Sequence, residues 1–410
     1  MRSVQDGAPL IGRRAVLAGG AAGLALAHSR ALAQTFVRLP LGSSPRARAL
    51  TKDFPQKGEM ILQRSRPPLL ETPFAVFDKG VLTPNDRFYV RWHYSDIPTT
   101  VDVDSFRLKV HGHVEHELSL SLSELMALPH VEMTAVNQCS GNSRGLFAPR
   151  VAGGEWGNGA MGNARWTGVR LSDVLKKAGV KPGSVQVRMH GLEKPPVAAS
   201  PPFRKSLALD HAMDGEVMIA FAMNGEALPL LNGFPIRMVV PGWYATYWVK
   251  MLSDLEVLDK PDTNFWMATA YTIPDTPHAD MMPGQTGVKF VPINKMVPRS
   301  FITNLQSGAK LPRQGKSLIR GIAFGGDEGV KTVELSLDGG RNWAAARLGK
   351  DEGKFSFRRW EADVTFPKPG DYMLQVRCTN TAGIVQPAVP NWNPAGFMRN
   401  VIESTRVTVA

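Results

Sequence analysis

Apolar positions in this chain recur with two periods, and the alternation between them sketches its architecture. In "SFRLKVHGHV" (105–114) every second residue is apolar, as in a strand with one buried face. In "VRLSDVLKKAGV" (169–180) the apolar residues fall at 169, 171, 174, 175 and 178, a helical spacing that Gly179 ends as a C-cap. "SLSELMALP" (121–129) opens with a capping serine and carries an acid in its first turn, so it predicts a short helix. "GEVMIAFAMNGEALP" (215–229) is a hairpin pattern turning at Asn224-Gly225. Strands and short helices interleave in this way from about residue 81 to 275, which predicts an α+β domain too irregular for a doubly wound sheet. Residues 34–80, with "SRPPLLETPFAVF", are Pro-rich and are expected to form an extended N-terminal arm lying over that domain. Residues 276–298, rich in Pro, Gly and Met, are expected to be a linker.

Beyond the linker the pattern is β throughout. "KTVELSLDGGRNWAAARL" turns at Asp338-Gly339, and "RRWEADVTF", "GDYMLQVRCTN" and "STRVTVA" follow at nearly even spacing. Short strands with turn signals every 8–12 residues predict an immunoglobulin-like β-sandwich over 299–410.

The first 33 residues break both periods. Arg13-Arg14 precede 13 apolar residues, "AVLAGGAAGLALA", and Ala31-x-Ala33 suits a signal peptidase. Thirteen residues fall short of the ~20 that span a bilayer, so no membrane span is expected in the mature chain. The arginine pair points to twin-arginine export and a periplasmic protein, although Gly12 and Val16 replace the usual Ser/Thr and Phe. Removing this segment takes away four arginines and one aspartate and lowers the formal charge from +12 to +9. A basic chain suits an anionic substrate or an acidic partner, or is simply soluble; with no Lys/Arg-rich run, nucleic acid is not expected.

The chain has two cysteines, which excludes a disulfide framework, a four-cysteine zinc site and an iron–sulfur cluster. No C-x-x-C-H occurs, so no c-type haem is expected on this chain, and no dinucleotide or Walker loop is visible. Cys378 sits within a strand pattern and reads as a small buried hydrophobe. Cys139 differs. "VEMTAV" is a strand, and "NQCSGNSRG" is a loop leaving its end, where sites are built. Core filler, nucleophile and metal ligand are the three readings of such a thiol. Arg144 favours the thiolate, and no histidine base is marked by sequence, which turns the reading toward a soft ligand. A single cysteine leaves most of the coordination to a cofactor bringing its own sulfur.

"VNQCSGNSRG", "GGEWGNGAMGNARWTGVRLSDVLKKAGV" and "MNGEALPLLNGFPIRMVVPGWYATYWVKML" together resemble the sulfite oxidase superfamily, most closely its exported bacterial branch, the sulfite dehydrogenases. "LTPNDRFYVRWH" and "WNPAGFMRN" extend the likeness over nearly all of the mature chain. The resemblance implies a molybdenum centre held by Cys139 and by the two sulfurs of a molybdopterin, a pyranopterin dithiolene. It implies oxidation of sulfite to sulfate by oxygen-atom transfer. It assigns Arg91, Arg144 and Tyr271 to catalysis and substrate, and Tyr89, Arg91, His93, Glu193, Asn232, Arg237, Trp248, Val249 and Lys250 to the cofactor. Trp156 matches a pocket wall.

Without the resemblance these residues carry plainer readings. Arg91 and His93 would be an exposed basic strand face, Tyr271 and Trp156 core, and Arg237 and Lys250 solvated strand ends. Two positions depart from the animal enzymes, which carry His at Asn232 and Asp at Glu193, so cofactor contacts there stay open. With no haem on the chain, the resemblance implies a separate c-type cytochrome as electron acceptor and allows a homodimer through the C-terminal domain. Other branches of the superfamily, a sulfur dehydrogenase of thiosulfate oxidation and a methionine-sulfoxide reductase, are the alternatives.

Overall fold

The computed structural model describes residues 35–42 and 46–410. The segment expected to be a signal peptide, 1–33, lies outside the described residues. Residues Val37–Ala410 form one compact unit. Among the described residues no helix is long and apolar enough to cross a membrane.

The unit is mostly sheet, and its few helices are short. Leu122–Met126 begins at a capping box in which Ser121 Oγ accepts from the Glu124 amide and the Glu124 carboxylate accepts from the Ser121 amide. Leu171–Ala178 buries the face predicted from its spacing and ends at Gly179, φ 68°. Leu252–Leu258 lies at the centre of one sheet, antiparallel to Gln186–Gly191 and parallel to Leu108–Gly112. A second sheet pairs His130–Gln138 with Met161–Arg170, and the latter with Met218–Met223. Met218–Met223 turns through Asn224 and Gly225, both with positive φ, into Glu226–Ala227. The same edge, nearer its start, takes Arg237–Val239.

Two further sheets close the C-terminal part: Arg299–Ile302, Ser317–Phe324, Arg358–Val364 and Arg347–Leu348, and the sheet built on Val330–Ser336, Gly370–Asn380 and Glu403–Val409. They enclose an apolar core containing Ile319, Trp360, Val376 and Cys378. Phe301, Phe324, Phe355 and Phe357 face the other way and join the core of the preceding sheets, so the two parts share packed surface.

The structure differs from the sequence reading in three places. Residues 34–80 are not an irregular arm: Ala47–Thr51, Met60–Arg64, Leu69–Glu71 and Val90–Arg91 pair in succession. These strands are two to five residues long and separated by prolines, too short for a period to show. The stretch read as a linker is pinned down, with Phe290–Pro292 paired to Thr272–Pro274 and Ile293 and Met296 buried. In "YVRWHY" the strand stops at Arg91, so His93 owes its direction to the following turn and not to strand alternation.

Candidate active site

His130–Gln138 runs through the core, and Cys139 is the first residue past its end. The loop that follows is fixed by backbone bonds: the Cys139 amide donates to Ala160 O at 2.9 Å, Asn142 N to Cys139 O at 3.0 Å and Ser143 N to Gly157 O at 2.8 Å. Ser143 takes a left-handed conformation, φ 69°, which turns the chain and swings Arg144 back over the loop. Cβ atoms built at Gly141 and Gly153 would stand 2.5 and 2.6 Å from the Arg144 guanidinium, so only glycine leaves it room. Arg144 Nε donates to Ala395 O at 3.0 Å, leaving its outer nitrogens toward a cavity.

Cys139 is buried, and its side chain stands where two cavities meet. The first runs past Tyr89, Asn137, Asn232, Arg237, Thr246, Trp248 and Lys250. The second, about 180 Å³, is walled by Arg64, Leu69, Arg144, Trp156 and Phe397. Arg91, His93 and Tyr271 line both.

The first cavity is rich in unspent hydrogen-bonding capacity. Arg91 Nη1, Asn137 Nδ2, Ser140 Oγ, Arg237 Nε and Thr246 Oγ1 are buried there without a partner. Orphans of this kind are costly and scarce in native proteins, so five on one wall call for a guest. The rest of the Arg237 guanidinium is fixed, Nη1 to Asn232 O at 2.8 Å and Nη2 to Trp248 O at 3.2 Å, with the Trp166 ring 5.1 Å away. Lys250 Nζ donates to Arg91 O at 2.8 Å; burial holds its amine down to about 7. Lys57 sits beneath the same wall, donating to Asn232 Oδ1 at 2.5 Å and to two carbonyls, and burial holds it too at about 7. A flat heterocycle with carbonyl and ring-nitrogen acceptors and an attached phosphate would satisfy these donors and cations. The donor set therefore fits a pyranopterin.

His93 occupies the wall between the cavities. Its ring stacks on Phe203 at 3.5 Å, Nε2 lies 2.8 Å from the Tyr271 hydroxyl, and Nδ1 faces Glu193 at 3.6 Å. Burial and the Arg91 charge push the imidazole down to about 3, so it is neutral. With Nδ1 carrying the proton toward the carboxylate, Nε2 accepts from Tyr271. Burial alone would raise Glu193; His93, Lys250 and the Tyr94 amide outweigh it and hold the carboxyl at about 2. Burial raises Tyr271, which keeps its proton, and its ring stacks on Phe397 at 5.4 Å.

Of the residues singled out by sequence, Tyr89, Arg91, His93, Cys139, Asn232, Arg237, Trp248, Lys250 and Tyr271 line the first cavity, and Arg144 and Trp156 the second. Glu193 and Val249 line neither. Glu193 sits behind His93 and orients it, and Val249 is a buried backbone link to Met238. Asn232 spends its side chain on Lys57 and Tyr89 O. Sequence reasoning passed over Asn137, Ser140, Thr246, Phe203, Phe397 and Lys57. Asn137 and Ser140 flank Cys139 and were within reach of the loop argument; nothing local marked the others. Among the described residues no group of three or more His, Cys, Asp or Glu could hold a metal ion, so a metal at Cys139 must bring its remaining ligands.

Comparison with known proteins gives the family of the chain. An oxidoreductase molybdopterin binding domain model matches residues 94–266, and a Mo-co oxidoreductase dimerisation domain model residues 291–409. The chain is 34% identical over 367 residues to mitochondrial sulfite oxidase of Macaca fascicularis, covering 84% of this chain and 65% of that protein. It is 32% identical over 362 residues to sulfite oxidase of Gallus gallus, covering 84% and 77%. Among solved structures, the sulfane dehydrogenase SoxCD of Paracoccus pantotrophus superposes with a TM-score of 0.69 at 29% identity, covering 82% of this chain and 83% of that one. Thus the chain spans about two thirds (65%) of the mammalian relative's length. With a buried cysteine between a donor-lined cavity and an arginine-lined one, and with relatives of this likeness along its length, the chain belongs to the sulfite oxidase superfamily.

Proposed function

We propose that this protein is a periplasmic sulfite dehydrogenase that oxidises sulfite to sulfate at a molybdenum pyranopterin centre and passes electrons singly to a separate c-type cytochrome. The observation that carries this reading is the meeting of two unlike cavities at the Cys139 sulfur. Cys139 would bind the metal, and Arg91, Asn137, Ser140, Arg237, Thr246 and Lys250 would hold the pterin and its phosphate. When bound, the centre supplies oxygen-atom transfer and accepts the two electrons that sulfite and water release as they become sulfate and two protons.

The chain's own residues bind, orient and insulate. Arg91 and Arg144 offer guanidinium N–H groups to a compact oxyanion, each charged bond contributing about 1.5–3 kcal/mol where water is excluded. Trp156 and Phe397 wall off solvent. Tyr271 stays protonated and keeps its hydroxyl against His93, whose neutral ring adds no second charge beside Arg91. The C-terminal sheets, read as an immunoglobulin-like sandwich, supply a dimerisation surface, in keeping with the domain that matches there.

A second reading has one observation behind it. The likeness to sulfane dehydrogenase favours the sulfur dehydrogenase branch of thiosulfate oxidation, and a methionine-sulfoxide reductase is the remaining branch. Purified protein decides between them. Stoichiometric molybdenum together with sulfite-dependent reduction of cytochrome c is the expected result. Molybdenum with turnover only of a sulfane or of methionine sulfoxide would replace the proposed substrate.

A further inference from the structure

The sheet that brings Arg91 to the second cavity brings another guanidinium that the reaction described above leaves unused. Met60–Arg64 runs antiparallel to Leu69–Glu71, with Ile61 opposite Glu71 and Leu62 opposite Leu70. Regular pairing would next set Gln63 opposite Leu69, and Arg64 would point to the other face. A bulge between Leu62 and Arg64 instead sets Arg64 opposite Leu69. The extra residue, Gln63, is tied down, accepting from Arg48 Nε at 3.1 Å and donating to Glu71 Oε2 at 2.6 Å. Leu69 is opposite Arg91 on its other side. Cross-strand partners share a face, so Arg64, Leu69 and Arg91 make one row across three strands, the arginine backbones about 10 Å apart.

All three members of that row line the second cavity, together with Arg144. No Asp or Glu lines it. Arg91 reaches the interior, with Nη1 buried, whereas Arg64 is exposed at the rim. Neither a hydrogen bond nor an ion pair engages the Arg64 side chain among the described residues. A cation with no internal partner, turned by a bulge onto a carboxylate-free wall, has no structural task that a polar residue would not serve as well.

We propose that Arg64 is an outer anion-binding residue, which takes a small oxyanion at the cavity mouth and hands it inward to Arg91 and Arg144. It governs capture of substrate and release of product and touches no reacting atom. Assigning that anion to the sulfite class rests on the function proposed above. Capture at an exposed guanidinium is weak and salt-sensitive, which suits a site that must also let sulfate leave.

The test compares Arg64→Gln, Arg64→Lys and, as a control for net charge, Lys52→Gln, an exposed cation just past the end of the Ala47–Thr51 strand that lines neither cavity. Sulfite kinetics of the holoenzyme are run beside calorimetric binding of sulfate to the resting protein. In Arg64→Gln the sulfite KM and the sulfate Kd are expected to rise together, about two- to fivefold, with kcat changing by less than that. Arg64→Lys is expected to recover most of the loss, and Lys52→Gln to show none. Wild-type KM and Kd in Arg64→Gln, or equal losses in Lys52→Gln, overturn the proposal. Should the wild-type enzyme fail to oxidise sulfite, the reaction proposed above falls, and the sulfate measurement still decides the role of Arg64.

Discussion

At the scale of single residues, the site depends on what its polar atoms lack. Cys139 belongs to the edge of the apolar core but also lines two cavities, so its sulfur is only partly packed and Ser differs from it by a single atom. Cys139→Ser is therefore expected to keep the fold, with unfolding free energy within about 1 kcal/mol of wild type, and to lose metal and activity. Metal analysis beside chemical denaturation checks both halves, and an unfolded variant would return the thiol to the core. Arg91→Met removes one of the guanidinium groups facing the anion. Its sulfite KM is expected to rise at least tenfold in steady-state kinetics, about one charged hydrogen bond's worth, with molybdenum content little changed. Much of this constellation was legible in the sequence, since Cys139, Arg144 and their small neighbours share one loop. Thr246, Phe203 and Phe397 were not, because each reaches a cavity from a distant element, nor was Lys57, which lies behind the wall on Asn232; their orphaned or shielded states exist only after folding.

At the scale of elements, strong local chemistry was readable and long-range pairing was not. The capping box at Ser121, the C-cap at Gly179 and the Asn224-Gly225 turn each carry their own signal. The strands at 47–71 carry none, since they are short and their partners, not their periods, define them. The same dependence governs the Cys139 loop. Arg299, fully buried at the start of its strand, donates to Ser143 Oγ at 3.0 Å, Gln138 Oε1 at 3.4 Å and Glu403 Oε1 at 3.0 Å. It thus ties both ends of the loop to the last strand. Arg299→Met leaves Glu403 paired with Arg399 at 2.6 Å, so the cost is set below that of stranding a buried charge, about 2–3 kcal/mol by denaturant unfolding. Cofactor retention on gel filtration is expected to fall with it. Wild-type stability and retention would show that the loop holds itself.

At the scale of the whole molecule, buried cations set the response to pH. Burial holds Lys57, Lys205 and Lys250 at about 7 in the folded protein, against 10.5 in the unfolded chain. Between those values the unfolded chain binds protons that the folded chain has released, so stability of the cofactor-free protein is expected to rise as pH climbs from about 7 toward 10. The opposite end is set by His93, held at about 3, and Glu193, held at about 2. Their contributions fade as pH falls below 6.5 and 4.5 respectively. Thermal melts across this range check both limbs, and Lys205→Met is expected to flatten the alkaline one. A melting temperature that falls steadily above pH 7 would show those amines to be charged in the fold. One feature reaches further. The stretch Asn393–Met398 closes the floor of the site from the far end of the chain, with Met398 N on Ser140 O, Ala395 O on Arg144 Nε and Phe397 against Tyr271. A polypeptide still emerging from the ribosome lacks this closure until 251 residues beyond Arg144 have been made. A chain stopped before Asn393 is expected to lack this floor and to retain no molybdenum through gel filtration, which metal analysis checks.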